Sequence, residues 1–276
     1  MSRHTGIASL SRAAALSMAA AFVILPLLAT FLGGFKTIGE LRSSPFGLPP
    51  TWHTEYYIGI LTNPVFWSYL KSSLIVSVCA VALTLLCASM AAYVFAHIRF
   101  FGSKMLLSYL LLGMMFPFAT AILPLFIMIR DLGLLDSFLG VILPQAAFSM
   151  AFAVVLFKSF FEQLPHELFE AAYVDGCGYV GFFFRFTLPL STPILATVGT
   201  FVFVQSWNNY LLPLVVINTR ELFTWPLGMM QFRGEYIVEW NKILAFVSLT
   251  IFPAIVFFIA AQKYIVAGLT RGSVKG

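Results

Sequence analysis

The chain runs to 276 residues, 60% of them hydrophobic and only 10% charged, with a mean hydropathy of +0.93. A water-soluble domain cannot cover that much apolar surface, so the composition belongs to a protein whose solvent is the lipid bilayer. A net charge of +5 without any run or stripe of Lys and Arg excludes nucleic acid as a partner, and Cys79, Cys87 and Cys177 lack the spacing of a metal site.

A spanning helix needs about 20 mostly apolar residues. Six stretches qualify, at 13–32, 70–96, 105–129, 137–157, 190–216 and 243–262. The expected fold class is therefore all-α, a single polytopic membrane domain over residues 1–276 with six transmembrane helices. Arg3 and Arg12 before an Ala-rich run suggest a secretory signal, but the apolar stretch is long for one and no clear cleavage site follows. The first stretch is read as a retained helix carrying Pro26 at its middle.

Orientation follows from Lys and Arg outside the spans. With the N-terminus cytoplasmic, nine of the 16 fall inside and seven outside, and the short segment His97–Lys104 and the basic C-terminal tail lean the same way. Both termini are then cytoplasmic. No Asp, Glu or Arg lies within the six stretches, and Lys71 sits at an edge where it can reach water. Ion-coupled transporters usually need buried ionisable relays, so an autonomous secondary transporter or channel is the weaker alternative. A membrane enzyme needs a clustered set of side chains, whereas His4, His53, His97 and His166 are scattered. No G-x-x-x-x-G-K-[ST] loop occurs either, so energy for uphill transport must come from another polypeptide.

Between the fourth and fifth stretches lies a carboxylate-bearing island, 159–189, SFFEQLPHELFEAAYVDGCGYVGFFFRFTLP. Pro165 suits a helix start, and Glu167 and Glu170 complement the dipole of a helix beginning there. Leu164, Leu168, Ala171, Ala172 and Asp175 form a stripe that would present one face to a groove, and Gly176 and Gly178 then break the helix. Tyr179, Phe182, Phe183 and Phe186 recur at helical spacing and predict a second short helix, with Pro189 at the entry to the fifth span. Read from the residues alone, the island is either a docking hairpin or an interfacial one whose acids are merely solvated.

Glu170-Ala171-Ala172, Gly176 and Leu188-Pro189 stand in the spacing E-A-A-x3-G-x9-I-x-L-P, with Phe186 in place of the aliphatic residue. This resembles the EAA loop of ABC importer permeases. Other segments are similar to the second permease of the maltose-type carbohydrate subgroup: Ser72 to Ser77, Ala91-Ala92-Tyr93 with Phe100 and Gly102, Trp207-Asn208-Asn209-Tyr210 with Pro213-Leu214, and the ending from Gln262 to Gly276. His97 departs from the usual Arg. The resemblance implies a multi-pass permease of the bacterial inner membrane that carries a di- or oligosaccharide or related sugar. It implies a complex with a second homologous permease, two ABC ATPase subunits and an extracytoplasmic solute-binding protein. By the same resemblance, the island is a cytoplasmic coupling-helix loop between helices 4 and 5, docking the ATPase through Glu167, Glu170, Ala171, Ala172, Asp175 and Gly176. This chain would then bind no cofactor, while ATP and Mg are used by the ATPase.

Two further groups are candidates. Sugars are held by aromatic faces and amide groups, which nominates Gln205, Trp207, Asn208, Asn209 and Tyr210 for the substrate path; the alternative is that these amides bond helix to helix. In the outer segment 218–242, Arg220, Glu221, Arg233 and Glu235 suit a rim facing the binding protein, against the alternative of a solvated loop.

Overall fold

The structure, a computed structural model, describes residues 2–234 and 238–273. Among them all repetitive structure is helical, apart from one antiparallel bridge between Arg233 and Val238. Apolar chain in hydrocarbon must satisfy its own backbone, and the helix does so within one segment. In order the helices are α1 (Ser2–Gly33), α2 (Ile38–Ser43), α3 (Glu55–Leu61), α4 (Pro64–His97), α5 (Ser103–Leu112), α6 (Phe118–Asp131), α7 (Leu139–Phe161), α8 (His166–Val174), α9 (Tyr179–Phe182), α10 (Leu188–Leu190), α11 (Thr192–Trp207), α12 (Leu211–Val216), α13 (Trp225–Gly228) and α14 (Trp240–Ser273).

Four segments are long and apolar enough to cross a bilayer unaided: Arg12–Gly33 of α1, α4, α7 and Trp240–Ile259 of α14. Two further crossings are bent pairs, Ser103–Met115 with Phe118–Asp131 at 103°, and Tyr179–Leu190 with Thr192–Trp207 at 77°. Counting each pair once gives the six crossings expected. The stretch 105–129 is thus not one rod. Pro117 excludes its predecessor from helical backbone, and Phe116 is extended at φ −85°, ψ 117°. In the second pair Pro193 cannot donate to the carbonyl of Pro189, which instead accepts the Thr192 hydroxyl at 2.7 Å, and the helix turns at Ser191. The stretch 190–216 is likewise interrupted, because α11 ends at Trp207 and α12 restarts at Leu211.

The chain forms two compact units. The first comprises residues 1–67 and 229–253. Gly34 is a close-approach position here: a Cβ would stand 2.5 Å from the Tyr57 hydroxyl and 2.8 Å from the Ala245 Cα. The Tyr57 hydroxyl donates to the Phe31 carbonyl at 2.7 Å, and the Phe35 ring lies against Tyr57 and Trp52, with centroids 4.3 and 5.1 Å away. Lys36 is wholly buried, and its Nζ donates to the carbonyls of Ser44, Pro45 and Gly47 at 2.7, 3.3 and 2.6 Å. A capping box between Thr37 and Glu40 starts α2 inside that loop.

The second unit comprises residues 68–228 and 254–276 and holds two cores. One joins Ala88, Ala92 and Tyr93 of α4 to Val154, Phe157 and Phe161 of α7, Ala172 of α8, Phe182, and Val198 and Val202 of α11. The other joins Val76 and Ala80 of α4 to Leu125 and Ile129 of α6, Val141 and Ile142 of α7, and Leu212 and Val216 of α12. Small residues on α4 let the helices approach closely, as membrane bundles require in the absence of a water-driven hydrophobic effect.

Candidate functional site

The island folds as a short helix, a tight turn and a return into the membrane segment. Pro165, at φ −58° and ψ 131°, precedes α8 without interrupting it. The far end is a Schellman turn. Gly176 is left-handed at φ +79°, its N–H donates to the Tyr173 carbonyl at 3.0 Å, and the Cys177 N–H donates to the Ala172 carbonyl at 2.8 Å. A Cβ on Gly176 would meet nothing within 4 Å, so the requirement is for the backbone angle and not for space. Phe169 anchors the helix on the return segment, its ring centroid 5.1 Å from both Tyr179 and Phe182.

This anchoring decides which face is outward. Ala171 and Ala172, expected on one docking face, point about 100° apart on a helix. Ala172 is 5% exposed and part of the core, while Ala171 is exposed. Glu167, Glu170, Asp175 and Gly176 are exposed with it. Sequence reasoning passed over Tyr173 and Val174, yet they are 65% and 85% exposed at the end of the helix. The expected second helix is two short pieces, α9 and α10, separated by a π-helical turn at Phe183–Thr187. Its apolar face is divided, since Phe182 and Phe183 are buried and Tyr179 and Phe186 are exposed.

Within the membrane-spanning part of the second unit is a cavity of about 290 Å³. The break between α5 and α6 supplies Gly113, Met114, Phe116 and Phe118; α7 supplies Gln145, Phe148 and Ser149; α11 and its end supply Val202, Gln205, Ser206 and Asn209. Of the five residues nominated for the substrate path, Gln205 and Asn209 line this cavity. Trp207 does not: it is buried, stacked on Phe203 with centroids 5.6 Å apart, and tilted against Trp225 at 6.4 Å. Asn208 Nδ2 donates to the Val204 carbonyl at 2.9 Å and so closes α11, while Tyr210 packs against the core that holds Leu212. Asn209 also serves α12, its Oδ1 accepting from the Leu212 N–H at 3.2 Å. Gln145 was passed over, although the one amide in the stretch 137–157 was the available signal.

The segments before α7 and after α12 are tied by Asp136, whose backbone is left-handed at φ 55°. Its carboxylate accepts the N–H groups of Asn218 and Thr219, each at 2.9 Å, and the Thr219 hydroxyl. Those bonds, the hydroxyl first, hold its carboxyl below the ordinary aspartate range. Arg220 and Glu221 are exposed on the turn that follows, and the Glu221 carbonyl accepts the Ser68 hydroxyl at 3.0 Å. Arg233, in the first unit, is exposed beside the bridge to Val238, and Glu235 lies outside the described residues.

An all-α chain with four unbroken and two bent apolar crossings defines a polytopic membrane protein. Residues 84–271 match the family described as "Binding-protein-dependent transport system inner membrane component", and the chain belongs to that family. It is 36% identical over 257 residues to the arabinooligosaccharides transport system permease protein AraQ of Halalkalibacterium halodurans, covering 92% of this chain and 91% of that one. It is 34% identical over 253 residues to the diacetylchitobiose uptake system permease protein NgcG of Streptomyces coelicolor, covering 91% and 84%. The fold superposes on a chain from the crystal structure of a bacterial ABC transporter involved in the import of the acidic polysaccharide alginate, with a TM-score of 0.80, 23% identity, and coverage of 96% and 99%. The protein is a multi-pass permease subunit of an ABC transport system, with a transport role and not a catalytic one. Membership implies an ATPase and a solute-binding protein as partners.

Proposed function

We propose that the chain forms half of the translocation path of an importer for neutral di- or oligosaccharides, beside a second homologous permease. Two ATPase subunits bind ATP and Mg and hydrolyse the nucleotide on the cytoplasmic side. An extracytoplasmic protein delivers the sugar to the opposite face. Both termini and the 159–189 island are cytoplasmic in this reading, in keeping with the Lys and Arg distribution.

One observation carries the coupling role: α8 is fixed by its Schellman turn and Phe169, yet presents Tyr173, Val174 and Ala171 to solvent. Apolar side chains displayed on a rigid polar loop mark a protein contact. Glu167, Glu170 and Asp175 around them suit a cleft with a basic rim. The sugar class is supported by relatives whose names specify arabinooligosaccharides and diacetylchitobiose, and by a cavity lined with amides and aromatic rings and no ionisable group. Arg220, Glu221, Arg233 and Glu235 are assigned to the binding-protein contact.

Co-expression of the chain with its neighbouring permease, ATPase and binding protein tests the reading. Proteoliposomes holding the complex are expected to take up diacetylchitobiose or arabinotriose only with ATP inside the cytoplasmic compartment and binding protein outside. Uptake without the ATPase overturns it.

A further inference from the structure

We propose that Gln145, with Ser206, forms the floor of a binding site in this chain for the hydroxyl groups of a neutral sugar in transit. The assignment rests on the sugar reading above. Gln145 is 7% exposed, and both its Oε1 and its Nε2 are buried with no hydrogen-bond partner among the described residues. The Ser206 hydroxyl, on α11, is in the same condition. A carboxamide offers two donors and an acceptor, and a hydroxyl offers both roles. Leaving such groups unpaired in an apolar interior is costly, so a partner from outside this chain is needed.

Both residues line one cavity, and its other lining bears on what that partner is. Its other polar residues are Ser149, Gln205 and Asn209, and no charged residue lines it. Its walls include Phe116, Phe118 and Phe148, with the Phe118 and Phe148 rings edge to face at 4.9 Å. Amides and hydroxyls for O–H groups, and aromatic surfaces for C–H faces, make up carbohydrate recognition; an ion would find no counter-charge. At about 290 Å³ the cavity stands at the lower limit of small-ligand pockets, about 300–1,000 Å³, which suits part of an oligosaccharide. Amides that serve as glue between helices of one chain would already be paired. The competing partner is therefore the second permease.

The test uses the assembled transporter with Gln145→Leu and Ser206→Ala, and diacetylchitobiose and arabinotriose as probes. Leu replaces the amide at similar volume without its unpaired atoms, so the variant complex is expected to melt at the same temperature or higher. Its yield with the second permease should be unchanged, while kcat/KM for uptake falls tenfold or more; Ser206→Ala should fall in the same direction. Uptake within twofold of the natural protein for both variants overturns the assignment. A lower Tm or yield with unchanged uptake per assembled complex also overturns it, because the amide is then a tie to the second permease. No uptake of either sugar by the natural complex overturns the sugar reading itself, and this assignment with it.

Discussion

At Gly176 one backbone angle governs how α8 is aimed. A side chain at φ +79° costs about 1–2 kcal/mol, and a β-branched one more. Gly176→Val is expected to insert normally in the membrane yet lose ATP-coupled uptake, whereas Gly176→Ala keeps part of it. Normal transport by the valine variant would show that the turn does not orient the helix. The acids differ by position. Glu162 pairs with Lys158 at 2.5 Å, an exposed contact worth about 0.3–0.5 kcal/mol. Glu170 stands on α8 beside Ala171. Glu170→Lys should therefore reduce copurification of the ATPase more than Glu162→Lys at matched expression, because like charges in a docking cleft cost several kcal/mol. Equal losses would place the docking face elsewhere.

At the scale of elements, two loop devices hold helix ends. The Lys36 ammonium joins three carbonyls of the segment after α2. Lys36→Met would remove the donor shared by those three carbonyls, at about 1 kcal/mol for each bond lost, so the purified protein should melt at a clearly lower temperature. A melting point equal to that of the natural chain would mean that water replaces the ammonium. The Asp136 clamp joins the α6–α7 connection to Asn218 and Thr219, and it predicts a pH dependence. Its folded carboxyl titrates below its ordinary value of 3.8. The clamp's contribution is therefore complete above that value and disappears as pH falls through the lower, folded one. The Tm difference between the natural chain and Asp136→Asn should be constant from pH 7 to 5 and shrink only in stronger acid. A difference that vanishes near pH 6 would mean that another group titrates.

For the whole molecule, the exposed apolar surface and the missing nucleotide loop make one argument. The most apolar 18 residues of Arg12–Gly33 have a mean hydropathy of 2.3 and none of them is buried within the chain, so lipid or another subunit must cover them. No nucleotide-binding loop exists to drive transport from within. The isolated polypeptide in liposomes is expected to show neither ATP hydrolysis nor uphill uptake, and to gain both when the ATPase and second permease are added. Hydrolysis by the chain alone would refute the division of labour.

Amino-acid order by itself determined the class and number of crossings and the place of the island, because hydrocarbon demands long apolar helices and the carboxylates of 162–175 belong in water; the second half of the island, 179–189, instead joins the bent fifth crossing. Gly176 was legible for the same reason: a turn needs a residue free of Cβ, and local chemistry suffices to say so. Tertiary structure decided what depends on neighbours. Ala172 went inward because Phe169 and the return segment fixed the roll of α8, which left Tyr173 and Val174 outside. Periodicity could not separate Trp207 and Asn208 from Gln205 and Asn209, since α11 ends among them and caps and packing claim the first two. Nor could it join Gln145 of α7 to Ser206 of α11. That juxtaposition exists because α7 packs on α11, and the break between α5 and α6 opens the cavity against both helices.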